Sequence, residues 1–150
     1  MFSNIITHRL VKSEDLNHHG TLFAGRCAEW FVENSFNAVA IKLKPNNIVC
    51  LKVHGFEFLQ PIKLGTILKF ESKIVAAGRS TVTVFTKAMR ADQPDSAYCD
   101  GYVTFVHVDE NTQSTPHGLV IVPETEDEKM LNETAKSLVL LVKQQKLTVS

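Results

Sequence analysis

The sequence predicts an α+β fold in which one long buried helix is wrapped by a curved, mostly antiparallel sheet. Two observations carry this. A proline-free stretch of about twenty residues with helical periodicity stands near the start of the chain. At least four strand-like segments then follow in succession before a terminal helix. Strands gathered together favour antiparallel pairing, whereas a parallel sheet alternates strand and helix. The 150 residues suit a single domain over 1–150, able to bury roughly 70% of its unfolded surface. The sequence contains no internal repeat, low-complexity tract or linker.

Residues 4–12 alternate polar and apolar side chains and read as a first strand, and Ser13 to Gly20 as a polar loop. From Leu22 or Phe23 to about Leu43 there is no proline, and Gly25 falls in the first turn. Lys42 and Lys44 suit the negative end of a helix dipole, and Pro45-Asn46-Asn47 ends it. Such a helix is roughly 30 Å long. Phe23, Cys27, Trp30, Phe31, Ala38 and Ile41 fall on one side of it, with Ala28, Val32, Phe36 and Val39 nearly opposite. Arg26, Glu29, Glu33 and Asn37 form a stripe between them, with Arg26 and Glu29 spaced for an ion pair. A helix apolar on two sides is buried twice, against its own sheet and, most economically, against a partner subunit.

Residues 48–59 then read as a strand closed by Gln60-Pro61. Residues 66–76 and 81–91 are rich in Val, Ile, Phe and Thr, with Ala77-Gly78-Arg79-Ser80 as a hairpin turn between them. A polar loop, Asp92-Gln93-Pro94-Asp95, leads to a strand over 97–109, and 110–118 is irregular. Pro123-Glu124 opens an acidic first turn, and Met130, Leu131, Ala135, Leu138, Val139 and Val142 give helical spacing to about Gln145.

Sixteen basic residues balance sixteen acidic ones, so charge points to neither nucleic acid nor membrane as a partner. Met1 to Lys12 lacks a signal-peptide apolar core, and no run approaches the ~18 apolar residues of a membrane span. Cys27, Cys50 and Cys99 show no C-x-x-C spacing, which argues against a metal site or a disulfide framework. They read as reduced thiols of a cytoplasmic protein.

Four segments together resemble the hotdog-fold acyl-CoA thioesterases. Asn17-His18-His19-Gly20-Thr21-Leu22-Phe23-Ala24-Gly25, leading into the helix, is similar to that family's N-x-x-G-x-x-F-G-G. Phe58-Leu59-Gln60-Pro61-Ile62-Lys63-Leu64-Gly65 resembles its F-x-x-P-x-x-x-G, and Gly78-Arg79-Ser80-Thr81 its G-[RT]-S-S turn. Thr104 to Asp109 looks like its closing strand, so the likeness spans roughly 5–145. The resemblance implies hydrolysis of an acyl-CoA thioester to free acid and CoA, with no cofactor beyond the substrate's own CoA. It implies a homodimer with active sites at the subunit interface, two or three such dimers often assembling into a tetramer or hexamer. Two positions depart from the pattern. Val32 stands where the family's helix carries its acid or base, with Glu33 one residue later and Glu29 three earlier, and Ala24 replaces the first glycine of Gly-Gly.

Thioester hydrolysis needs a polarised carbonyl, a held water and a base or nucleophile. The first amides of a helix are unpaired and its dipole favours negative charge there, so Ala24 and Gly25 are the candidate oxyanion donors. Asn17 is the candidate for holding water or the carbonyl, although asparagine also caps loops. Glu33, one turn after Trp30, is the candidate base, acting with Asn17 of the opposite subunit and ahead of Glu29; the alternative is a solvated or interface stripe. Of the adjacent histidines His19, beside Gly20, is preferred for polarising the carbonyl or shuttling a proton. A Cys27 nucleophile competes with the ordinary reading of a core thiol. Gly78, Arg79 and Ser80, with Lys63 behind them, are candidates for the CoA phosphates, or else an ordinary hairpin turn. Two rivals remain: an acyl-CoA hydratase or dehydratase pairing His19 with Glu33, and a non-catalytic acyl-CoA-binding hotdog.

Overall fold

The computed structural model describes residues 2 and 4–149, with side chains to Gln145. Five strands, β1 (Asn4–Leu10), β2 (Ile48–Phe58), β3 (Ile67–Ala77), β4 (Thr81–Arg90) and β5 (Gln93–His107), form one antiparallel sheet in the order β1-β3-β4-β5-β2. Helix α1 (Ala24–Ala40) crosses one face and α2 (Glu126–Val149) packs on the other, against β3. This is the α+β arrangement expected, with the long helix held by the sheet. No helix among the described residues is long and apolar enough to cross a membrane.

The core lies between α1 and the sheet, where Phe31, Val39, Leu68, Phe70, Val84, Val103 and Phe105 are buried. Phe31 stacks on Phe56 at 4.6 Å between ring centroids, and Phe56 meets Phe58 edge-on at 5.3 Å. A buried polar thread fixes how the helix sits. The Asn34 amide donates to the Ser72 hydroxyl at 2.7 Å and accepts from Thr7 at 2.9 Å, while Ser35 bonds Thr86 at 2.7 Å. Such fully paired groups reward one helix register and penalise its neighbours.

Several boundaries differ from expectation. Helix α1 has seventeen residues, roughly 25 Å, because Phe23 keeps an extended backbone and the last turn tightens, the amide of Lys42 bonding Val39 three residues back at 3.0 Å. Phe23 and Ile41 are 55% and 65% exposed rather than part of the buried side, and Ala28, Val32 and Phe36 are half-buried. Arg26 does not pair with Glu29; it reaches back to Asp15 at 3.5 Å. Of the expected loop at 92–95, Gln93 to Asp95 are already strand. Asp92 clamps the Arg90 guanidinium with contacts of 2.8 and 2.7 Å, closing a tight turn, and Pro94 falls in an irregular stretch of the β4–β5 pairing where no ladder amide is required.

Glu128 supplies the first of the pH-dependent expectations. Its carboxylate accepts the amides of Glu124 at 2.9 Å and Phe2 at 2.6 Å, and that of Thr125. These backbone donors hold it below the ordinary 4.5. A lowered folded-state value stabilises the protein above the unfolded value, and that contribution is lost as pH falls through the folded value. Thermal melts from pH 6 to 3 should therefore show a smaller loss of Tm for Glu128→Gln than for the parent chain.

Candidate active site

The loop from Asn17 to Phe23 owes its shape to one side chain. The Asn17 carbonyl oxygen Oδ1 accepts the amides of His19 at 2.9 Å and Thr21 at 3.2 Å, while its Nδ2 donates to the Thr21 hydroxyl at 3.2 Å. Gly20, at φ 79°, makes the reversal. The amide of Leu22 then donates to Ile62 at 2.8 Å, and that of Phe23 to Asp15 at 2.9 Å, so the loop is sewn to the 59–62 segment and to the Ser13–Asp15 turn. Asp15 is 2% exposed and was not singled out in the sequence, where an acidic residue in a polar loop gives no sign of burial.

A cleft of about 370 Å³ opens where these pieces meet the start of α1. Asn17, Thr21, Ala24 and Cys27 form one side and Phe58, Leu59, Gln60, Pro61 and Ile62 the other. Two of the four sequence segments that carried the resemblance thus share one cavity. An Nδ2 group has two hydrogens, and Asn17 uses one on Thr21; the second remains for a ligand. No side chain caps α1, and among the described residues the amides of Ala24 and Gly25 have no acceptor. They are donors at the positive end of the helix. Gly25 has a local reason to be glycine, since a Cβ there would stand 2.5 Å from the Phe23 ring.

Other expected residues lie elsewhere. Glu33 does not line the cleft. It pairs with Arg9 of β1 at 3.1 Å, its side chain 53% exposed, while Arg9 also lies over the Trp30 ring at 5.5 Å. One residue step turns a helix by about 100°, so Glu33 faces β1 and cannot take the direction of Val32. The expectation pairs Glu33 with Asn17 of an opposite subunit, and within one chain the two are not brought together. Glu29 is exposed and does not line the cleft either. His19 is exposed outside the cleft lining, its ring 3.9 Å from that of His18. Three other histidines, His54, His107 and His117, hydrogen-bond within the fold. The His117 ring donates from Nε2 to the Thr81 carbonyl at 2.9 Å and accepts the Leu119 amide at Nδ1, and His54 bonds Thr104 at 2.7 Å.

Gly78, Arg79 and Ser80 form the β3–β4 turn. Its carbonyls are pinned, Arg79 by the amide of His117 at 3.2 Å and Ser80 by that of His107 at 2.7 Å, leaving the Arg79 side chain in solvent. None of the three lines the cleft; the turn follows the end of β3, an eleven-residue strand roughly 35 Å long. Within one chain the two candidate groups are not brought together.

Cys27 is the cleft feature the sequence undervalued. It is buried in the same core as Cys99 of β5, whose thiol holds Cys27 below the ordinary thiol range, while Cys27 and burial push Cys99 above it. Partners so far apart in sequence leave no spacing signal.

No protein-family model matches the chain. Among curated proteins it is similar to YkhA of Bacillus subtilis, an uncharacterised acyl-CoA thioester hydrolase, with 29% identity over 137 residues covering 89% of this chain and 78% of that one. Among solved structures it is similar to the Staphylococcus aureus acyl-CoA hydrolase in complex with butyryl-CoA, CoA and CoA disulfide, at TM-score 0.81 and 25% identity, covering 97% of this chain and 90% of that one. A hexameric acyl-CoA thioesterase gives TM-score 0.80 and 26% identity over 95% of this chain and 92% of its own.

Proposed function

We propose that this chain, which belongs to the hotdog-fold acyl-CoA thioesterases, hydrolyses its substrate in the cleft at the start of α1, with water as the only co-reactant. The carbonyl oxygen of the thioester accepts from the free amide of Ala24 or Gly25 and from the spare Nδ2 hydrogen of Asn17. Fixed donors of this kind act where negative charge develops and need no reorganisation during the reaction. Gln60, across the cleft, bonds Ser96 through its Nε2 at 3.0 Å, and its carbonyl end orients the attacking water. The water loses a proton to solvent as its oxygen bonds the carbonyl carbon, giving a tetrahedral oxyanion; collapse breaks the C–S bond and expels CoA thiolate, which takes up a proton, leaving the free acid. The convergence of Asn17, the uncapped helix start and the 58–62 wall in one cavity carries this reading.

That the Gly78-Arg79-Ser80 turn does not line this cleft supports assembly in at least a dimer, one copy holding the thioester and another the CoA phosphates. The hexameric neighbour supports further assembly of such dimers. Arg79→Ala should raise KM for acyl-CoA about tenfold, the loss expected for one charge-assisted hydrogen bond, and leave KM for the matching acyl-pantetheine unchanged. An equal rise for both substrates would show that Arg79 acts through the fold.

The decisive assay is thiol release over a panel of acyl-CoAs, run beside crotonyl-CoA hydration. Release across several chain lengths without hydration is expected. CoA binding with no release from any of them would make the protein an acyl-CoA binder. In the same assay Glu33→Ala should keep kcat within about twofold and cost at most about 1 kcal/mol of stability, as exposed ion pairs do. A hundredfold loss of kcat would restore Glu33 to the reaction.

A further inference from the structure

Another cavity, of about 230 Å³, lies on the far side of the sheet, between the β3–β4 turn and α2. Helix α2 is tied down on both sides of it. Asn132 donates from Nδ2 to the Val75 carbonyl at 2.8 Å, and Lys52 of β2 donates from Nζ to Gln145 at 3.4 Å. Residues three, four and seven apart share a helix face, so Lys136, Val139, Leu140 and Lys143 border the cavity together. Ala76 and Ala77 of β3 face them, with Thr81 at the start of β4. Gly78 lines it too, and a Cβ there would stand 2.5 Å from Thr81 Oγ1, so glycine keeps that hydroxyl uncovered.

The floor of this groove is apolar and its charged rim is entirely cationic. No carboxylate lines it, and Glu133, one turn before Lys136, stands exposed outside it. Among the described residues neither Lys136, Lys143 nor the neighbouring Arg79 has an ion-pair partner. The amides of Arg79 and Ser80 likewise have no acceptor among them. Lysines that serve only solubility need no apolar floor between them. Cations and free donors gathered round one cavity favour an anion with several acceptor oxygens.

We propose that this groove takes the phosphorylated adenosine end of CoA, with Lys136 and Lys143 holding its phosphates beside Arg79 and the base packed on Val139 and Leu140. That nucleotide carries phosphate at both the 5′ and the 3′ position of its ribose. Lys136 and Lys143 stand two helical turns, roughly 10 Å, apart, and their flexible stems let each ammonium reach a different phosphate. The Arg79 guanidinium and the two free amides of the turn suit the diphosphate. The affinity for phosphate rests on the groove alone; the identity of the nucleotide rests on the acyl-CoA reading.

The test titrates the full chain with adenosine 3′,5′-bisphosphate, which carries both phosphate positions and no thioester. Calorimetry should show it binding, with adenosine and inorganic phosphate each at least tenfold weaker. In the double variant Lys136→Gln, Lys143→Gln the bisphosphate should bind on the order of tenfold more weakly while Tm matches the parent. The same variant should raise KM for acyl-CoA by a similar factor and leave kcat, and KM for the matching acyl-pantetheine, unchanged. Failure of the parent to bind the bisphosphate would overturn the proposal, as would parent affinity in the double variant or an equal rise in KM for both substrates. Inorganic phosphate binding as tightly as the bisphosphate would overturn the part given to the nucleoside. If no acyl-CoA releases thiol, the thioesterase reading fails, while the bisphosphate titration still decides the groove.

Discussion

Alanine at Asn17 should lower kcat for acyl-CoA hydrolysis by on the order of 100- to 1,000-fold, the loss typical of one oxyanion donor. Two contributions enter. The spare Nδ2 hydrogen that faces the substrate disappears, and so does the oxygen that accepts the amides of His19 and Thr21. Asn17→Asp separates them. A carboxylate keeps both acceptor bonds and the loop's shape but has no hydrogen to give. The aspartate variant should therefore match the alanine variant in kcat while its Tm stays near that of the parent. Full activity in Asn17→Asp would show that the side chain only shapes the loop, and the oxyanion would then depend on the α1 amides alone.

Phe31→Ala should produce the largest loss of stability, about 3–5 kcal/mol, as expected for emptying a fully buried aromatic site. For a chain of this size that lowers Tm by on the order of 10 °C. The ring is wholly buried and stacks on Phe56, which in turn holds Phe58 at the cleft wall. The cavity should thus be felt at the site. KM for acyl-CoA should rise at temperatures where the variant is fully folded, as judged by far-ultraviolet circular dichroism. Phe31→Leu, which refills most of the volume, should recover much of both losses. A variant that melts early with an unchanged KM would break the link from Phe31 to the cleft.

The architecture was legible because periodicity reports directly on packing. The span of α1, the Val- and Phe-rich strands and the hairpin at Gly78 all carry their signal within a few neighbouring residues. Boundaries set by side chains were less visible. The Arg90–Asp92 clamp converts an apparent loop into strand, and the extended backbone of Phe23 delays the helix. Of the candidate site residues, Asn17 and Ala24 fall in the cleft because sequence neighbours shape the loop that presents them. Glu33 faces β1 and lies outside the cleft of its own chain, because one helical step is a 100° rotation that composition does not register. Cys27 and Cys99 share one core from distant parts of the chain, which leaves no local trace. The Arg79 turn reads plainly as a turn, but its place outside the cleft appears only once the strands are assembled.

The strand order has a consequence for how the molecule assembles and comes apart. The central strands β3, β4 and β5 follow one another through tight hairpins, so they can meet with little loop-closure cost. The two edges cannot. β1 must find β3, and β2 must find β5, across long intervening segments, and α1 lies in sequence between those two edge strands. Contacts of high sequence separation form late. The cleft is made where the start of α1 faces the end of β2, so it belongs to the part of the molecule that closes last. Hydrogen exchange should find the amides of β4 protected up to global unfolding, and those of Leu22 and Leu59 released by smaller openings. The cavity that must admit an acyl chain is thereby placed in the part of the fold that opens with the least work.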